Sequence, residues 1–89
     1  MKFNILYSSR AKKFLEKAEK NIARRLVDKI EGLSNAPLTP ETRKIIGSED
    51  LFRLRAGKYR ILYKICFDEE TIIIVRIDKR ERIYGRRFD

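Results

Sequence analysis

Apolar residues recur at steps of three and four from Ala11 through Phe14, Leu15, Ala18, Ile22, Leu26 and Ile30 to Leu33, with Lys, Arg and Glu between them. That spacing lines one face of an α-helix. An unbroken helix from Ser9 to Leu33 would be about 37 Å long, against a radius of gyration of about 12 Å for a compact domain of this length. The pattern therefore predicts a helical hairpin, broken near Lys20 and Asn21. Ser8 and Ser9 are candidate N-caps for the first helix, Asn21 for the second, and Gly32 with the following "SNAP" ends it.

Before the helices, "KFNILY" has strand-like content. Residues 34–50, with Pro37, Pro40 and "GSED", read as a connector holding at most a short turn at "PETRKIIG". Three strand candidates follow: Leu51 to Arg55, Tyr59 to Phe67 and Thr71 to Asp78, separated by "AGK" and "DEE". Such short connections make antiparallel neighbours. "TIIIV" is apolar throughout, as expected of a central strand covered on both faces, the helices covering one. The fold class that follows is α+β, with an N-terminal strand and a two-helix hairpin packed on an antiparallel sheet, in one domain spanning 1–89.

Composition narrows the chemistry. With 22 Lys+Arg, 13 Asp+Glu and a formal charge of +9 over 89 residues, the chain favours an anionic partner. No His and a single Cys, Cys66, exclude a zinc cage, a Cys/His nucleophile pair and a disulfide framework. No metal and no cofactor are expected, and Cys66 reads as a small core residue. "MKFNILY" lacks the apolar length of a signal peptide and the run from Thr71 to Val75 is too short to span a bilayer, so a cytoplasmic protein with no membrane association is expected.

The segment "LFRLRAGKYRILYKI" carries Arg53, Arg55, Lys58, Arg60 and Lys64 with no acidic residue. Alternation sends Phe52 and Leu54 to the core and Arg53 and Arg55 to the other face. A two-residue turn at Ala56 and Gly57 would set Arg53 opposite Arg60 and Phe52 opposite Ile61; a three-residue turn would bury charge. Like charges side by side cost stability, so an external anion is the expected use of three clustered arginines. The second basic run, "KRERIYGRR", adds Lys79, Arg80, Arg82 and Tyr84. Guanidinium forks suit phosphate, and an aromatic among them can stack on a base.

"GKYRILY", followed after the next strand by "KRERIY", resembles the RelE/ParE toxin superfamily, and more closely its RelE branch of messenger RNA interferases. The likeness runs along essentially the whole chain. It implies a toxin of a type II toxin–antitoxin system that cuts messenger RNA in the ribosomal A site without a metal. It also implies a RelB-type antitoxin, held in a hetero-oligomer, as inhibitor. By position, Arg60 matches the arginine that binds the scissile phosphate, Arg80 a second phosphate contact, and Tyr84 the tyrosine that stacks on the base or acts as general base. Lys58, Lys64, Lys79 and Arg82 are further candidate substrate contacts. Arg53 and Arg55 stand where well-studied RelE enzymes carry lysines, and an arginine is a poor proton donor because its pKa lies far above neutral. The acid role is then vacant, or passes to Lys58, Lys64, Lys79 or a ribosomal group. Two other functions fit the same residues: a ParE-like inhibitor of DNA gyrase, and a non-catalytic basic module that binds RNA or DNA.

Overall fold

The computed structural model describes residues 2–79. The chain runs β1 (Asn4–Tyr7), α1 (Ser9–Lys17), α2 (Lys20–Gly32), β2 (Thr42–Lys44), β3 (Leu51–Ala56), β4 (Tyr59–Cys66) and β5 (Thr71–Lys79). The strands form one sheet in the order β1-β5-β4-β3-β2. The expected α+β architecture is present, with helices on one face of a mostly antiparallel sheet. β1 is the exception: it pairs parallel with β5, Leu6 beside Ile73, and the helical hairpin is part of the crossover that parallel neighbours require.

The core lies between the sheet and the helices. Leu26, Ile30 and Leu33 meet Leu54, Ile61, Tyr63, Ile72, Ile74 and Ile77, all nearly fully buried. Ala11 is fully buried, and Phe14, Leu15 and Ile22 pack at the margin, so the predicted helical stripe is the buried one. Ser8 caps α1, its Oγ accepting the Ala11 N–H at 3.1 Å. The hairpin breaks at Ala18–Glu19, two residues earlier than Asn21 would place it. Glu19 occupies the N-cap of α2 without a side-chain hydrogen bond, and Asn21 lies exposed within the helix.

Four other expectations need correcting. The segment 34–50 is not all connector, because Thr42–Lys44 forms the edge strand β2, with Arg43 beside Arg53. A polar three-residue strand with one buried face, on Thr42, has no periodicity to betray it. "TIIIV" is covered on one face only: Ile72 and Ile74 are buried, Ile73 is half-buried and Val75 is 36% exposed. Cys66 is half-buried at the end of β4 rather than in the core; its register partner is Thr71. Finally, the β3–β4 turn is Gly57–Lys58, not Ala56–Gly57, so Arg55 faces Arg60 and Arg53 faces Leu62. The shift is two residues, which leaves every side chain on its expected face. Gly57 has φ +62° and Lys58 lies outside the left-handed region, the pattern of a type II′ hairpin turn with Gly at its first central position. No described helix is long and apolar enough to cross a membrane.

Candidate anion-binding site

Directly opposed residues on adjacent strands project to the same side. On the sheet face away from the helices, this rule sets Arg43 beside Arg53 and Arg55 beside Arg60. Arg60 is in turn beside Asp78, and Leu62 beside Arg76. Arginines from four strands thus share one end of the sheet, next to the tight turn that joins β3 to β4. The cluster exists because the core claims the alternate positions: Phe52, Leu54 and Ile61 are buried, which turns Arg53, Arg55 and Arg60 outward. Arg53 and Arg60 are half-buried and Arg55 is exposed.

Between β2 and β3 the surface dips into a concavity of about 460 Å³ lined by Pro40, Glu41, Arg43, Arg53, Arg55 and Gly57. Arg43 is held at its rim, donating to the carbonyls of Pro40 at 3.0 Å and Thr42 at 2.8 Å. The carboxylate of Glu41 is engaged from outside by Lys29 at 2.7 Å. Arg43 and Arg76 were not among the residues expected at the site. Arg43 was hidden because its strand was, and Arg76 because strict alternation would place it on the buried side with Ile72 and Ile74.

A β-bulge corrects that alternation. Tyr63 pairs with Ile74 but Leu62 pairs with Arg76, so Val75 is an extra residue in β5. Bulges re-aim the side chains that follow them. Here Ile77 enters the core, 2% exposed, while Arg76 and Asp78 leave it, Asp78 opposite Arg60 and Arg76 opposite Leu62, both at the β5 edge that borders the groove beside α1. Arg76 Nε and Asp78 Oδ2 form an ion pair.

The lysines expected near the site disperse. Lys64 lies four residues along β4 from Arg60, roughly 13 Å away at strand rise, and sits 3.7 Å from the Asp50 carboxylate. Lys58 and Lys79 line a groove on the helix side of the sheet. Arg80, Arg82 and Tyr84 lie outside the described residues. Two adjoining concavities, of about 530 and 770 Å³, make up the groove and share Ile22, Tyr59 and Lys79. Its floor is apolar, with Phe14 and Tyr59 edge to face at 5.9 Å. Its walls are mainly cationic, with Arg10, Lys13, Lys17, Arg25 and Lys29 against Glu19 and Asp28, and Arg76 and Asp78 border it along β5.

Two tyrosines on the helix side, Tyr63 buried and Tyr7 half-buried, are held neutral. Tyr7, which donates to Glu31 Oε2 at 3.3 Å, is pushed up to about 12 by burial and by that carboxylate. Tyr63 is also pushed up to about 12, by burial, with a smaller opposing influence from Thr42. Neither is placed to act on a ligand at the arginine face. What that face offers is dense, permanently charged donors with planar geometry, suited to a phosphodiester.

Comparison with known proteins agrees with this geometry. Residues 5–84 match the family described as the ParE toxin of the type II toxin–antitoxin system, parDE. Toxin RelG of Mycobacterium tuberculosis is 33% identical over 90 residues, covering 97% of this chain and 100% of that protein. The archaeal RelE–RelB complex from Pyrococcus horikoshii OT3 superimposes with a TM-score of 0.80 at 26% identity, over 92% of this chain and 99% of that one. The RelBE2 toxin–antitoxin complex of Mycobacterium tuberculosis gives 0.79 at 27% identity, over 90% and 100%. With a family match along most of its length and the same fold as these complexes, the chain belongs to the RelE/ParE family of type II toxin–antitoxin toxins.

Proposed function

We propose that this toxin is a ribosome-dependent endoribonuclease that cleaves messenger RNA in the ribosomal A site. The observation that carries the reading is the convergence of Arg53, Arg55 and Arg60 on one sheet face around the β3–β4 turn, joined by Arg43. The 2′-hydroxyl attacks the adjacent phosphorus, the bond to the 5′-oxygen breaks, and the products are a 2′,3′-cyclic phosphate and a 5′-hydroxyl. Arg60 grips the scissile phosphate and offsets the charge that grows on it. Arg53, Arg55 and Arg43 hold the flanking backbone. Arg80 is assigned a second phosphate contact, and Tyr84 a stacking partner for the base, by their position in the family motif. Arginines at 53 and 55 supply charge and not protons, so the ribosome's positioning of the strand matters more than usual.

The proposed partner is a protein antitoxin. The solved relatives at TM-scores of 0.80 and 0.79 are complexes with one. An apolar floor between cationic walls, as on the helix side, also suits an acidic amphipathic helix.

The test adds purified protein to ribosomes programmed with a defined message and maps cuts by primer extension. Wild type is expected to cut within the A-site codon, and Arg60→Ala to cut about 100-fold more slowly or worse, the usual cost of an oxyanion donor. An intact codon together with inhibited gyrase supercoiling would replace this reading with the ParE-like one. Salt-sensitive binding that leaves both RNA and gyrase untouched would reduce the protein to a nucleic-acid-binding module.

A further inference from the structure

We propose that Asp78 is the general base of the cleavage reaction, an inference that rests on the endoribonuclease reading above. Arginines cannot take the proton of the 2′-hydroxyl, so the described part of the site needs an acceptor. The outward positions of β3, β4 and β5 hold a single carboxylate, Asp78, and its register partner is Arg60. Of the carboxylates near the sheet ends, Glu41 pairs with Lys29, Asp50 lies beside Lys64, and Asp68, Glu69 and Glu70 occupy the β4–β5 turn at the end away from Arg60.

The register fits the role, at the β5 edge where Asp78 stands opposite Arg60 and also borders the groove beside α1. Opposed residues on neighbouring antiparallel strands have Cβ atoms about 5 Å apart. A phosphate held on Arg60 is then one register position from Asp78, and the 2′-oxygen of the neighbouring ribose is assigned to that carboxylate. The Asp78 side chain is 20% exposed, reachable yet partly desolvated, and Arg76 fixes it through Oδ2. Oδ1 accepts no hydrogen bond from the described residues and is the atom assigned to the proton. A base oriented by a third group is the recurring arrangement of activated nucleophiles. The bulge at Val75 is what permits it, because without the extra residue Asp78 would point with Ile72 and Ile74 into the core.

In the step itself, the 2′-hydroxyl proton moves to Asp78 Oδ1 as the 2′-oxygen bonds to phosphorus. The P–O5′ bond breaks, and the 5′-oxygen takes a proton from water. Asp78 then returns its proton to solvent. Tyr84 is left with stacking alone.

Single-turnover cleavage on saturating programmed ribosomes tests the assignment. Asp78→Asn keeps the shape and removes the basic oxygen; it is expected to slow cleavage by about 100-fold or more while ribosome affinity stays equal or tightens. Asp78→Glu should recover part of the rate. To separate proton transfer from merely holding Arg76, the same replacement is made in an Arg76→Gln background, where it should cost a similar factor. Cleavage by Asp78→Asn at the wild-type rate overturns the proposal, as does the absence of any further loss in the Arg76→Gln background. Failure of wild type to cut at all would instead remove the endoribonuclease reading, so the two failures are distinguishable.

Discussion

Within the motif "GKYRILY", alternate residues do different work, and the tyrosines do not share the arginine's side. Tyr59 packs on Phe14 and Tyr63 sits in the core, fully buried, stacked on Phe52 at 5.8 Å with its hydroxyl donating to the Pro37 carbonyl at 2.7 Å. Arg60 between them faces the other side, and it is the residue to which the proposed function assigns the phosphate. The hydroxyl of Tyr63 ties the central strand to the segment after α2, and its neutrality gives a pH signature. Its folded-state pKa of about 12 lies above the ordinary value of 10.0, so the unfolded chain releases this proton first. The stabilisation is complete below pH 10 and is lost as pH rises toward 12. Chemical unfolding followed from pH 8 to pH 12 should therefore show a steeper loss of stability in wild type than in Tyr63→Phe. At pH 8 the same variant should be less stable by about 1 kcal/mol, because the Pro37 carbonyl loses its donor. Parallel pH profiles for the two proteins would contradict the burial argument.

At the scale of elements, the fold was legible wherever a period was sustained and illegible where one residue broke it. The helical stripe from Ala11 to Leu33 and the inward–outward order of Leu51 to Ile65 both stand in the structure, because burial on one face enforces each of them. The turn was misplaced by one residue at each end of the hairpin without changing any face, since only an odd shift would expose the core. β2 and the bulge could not be read, the first for want of apolar residues and the second because Val75 continues an apolar run. Ser8 joins the elements that sequence could not connect. Its hydroxyl donates to the Val75 carbonyl at 2.7 Å and accepts the Ala11 N–H at 3.1 Å, so one side chain both caps α1 and holds the bulge. Ser8→Ala removes both bonds, with an expected loss of about 1–2 kcal/mol in urea unfolding. Because the bulge sets the direction of Arg76 and Asp78, cleavage should fall along with stability. A stability loss of cap size with undiminished cleavage would show that the bulge holds without Ser8.

For the whole molecule, a formal charge of +9 ensures some attraction to RNA, so binding alone says little about a built site; the distribution of the salt dependence says more. Each cation that neutralises a phosphate of a single strand releases counterions and adds about 0.7 to the slope of log affinity against log salt. Cations distributed evenly over the surface would each contribute a small, similar share. Cations gathered on one face would contribute nearly the full amount at that face and almost nothing elsewhere. The structure sorts them: Arg43, Arg53, Arg55 and Arg60 belong to one end of the outward face, whereas Lys64 stands roughly 13 Å along the strand with Asp50 beside it. Fluorescence anisotropy with a short mixed-sequence RNA, titrated at several salt concentrations, should show a slope shallower by about 0.7 for Arg43→Ala and for Arg55→Ala. Lys64→Ala should leave it unchanged. Arg43 is the informative member, since it enters the cluster only through the pairing of β2 with β3. A full share of the slope from Lys64, or none from Arg43, would mean that RNA follows the net charge of the molecule and not this arrangement of strands.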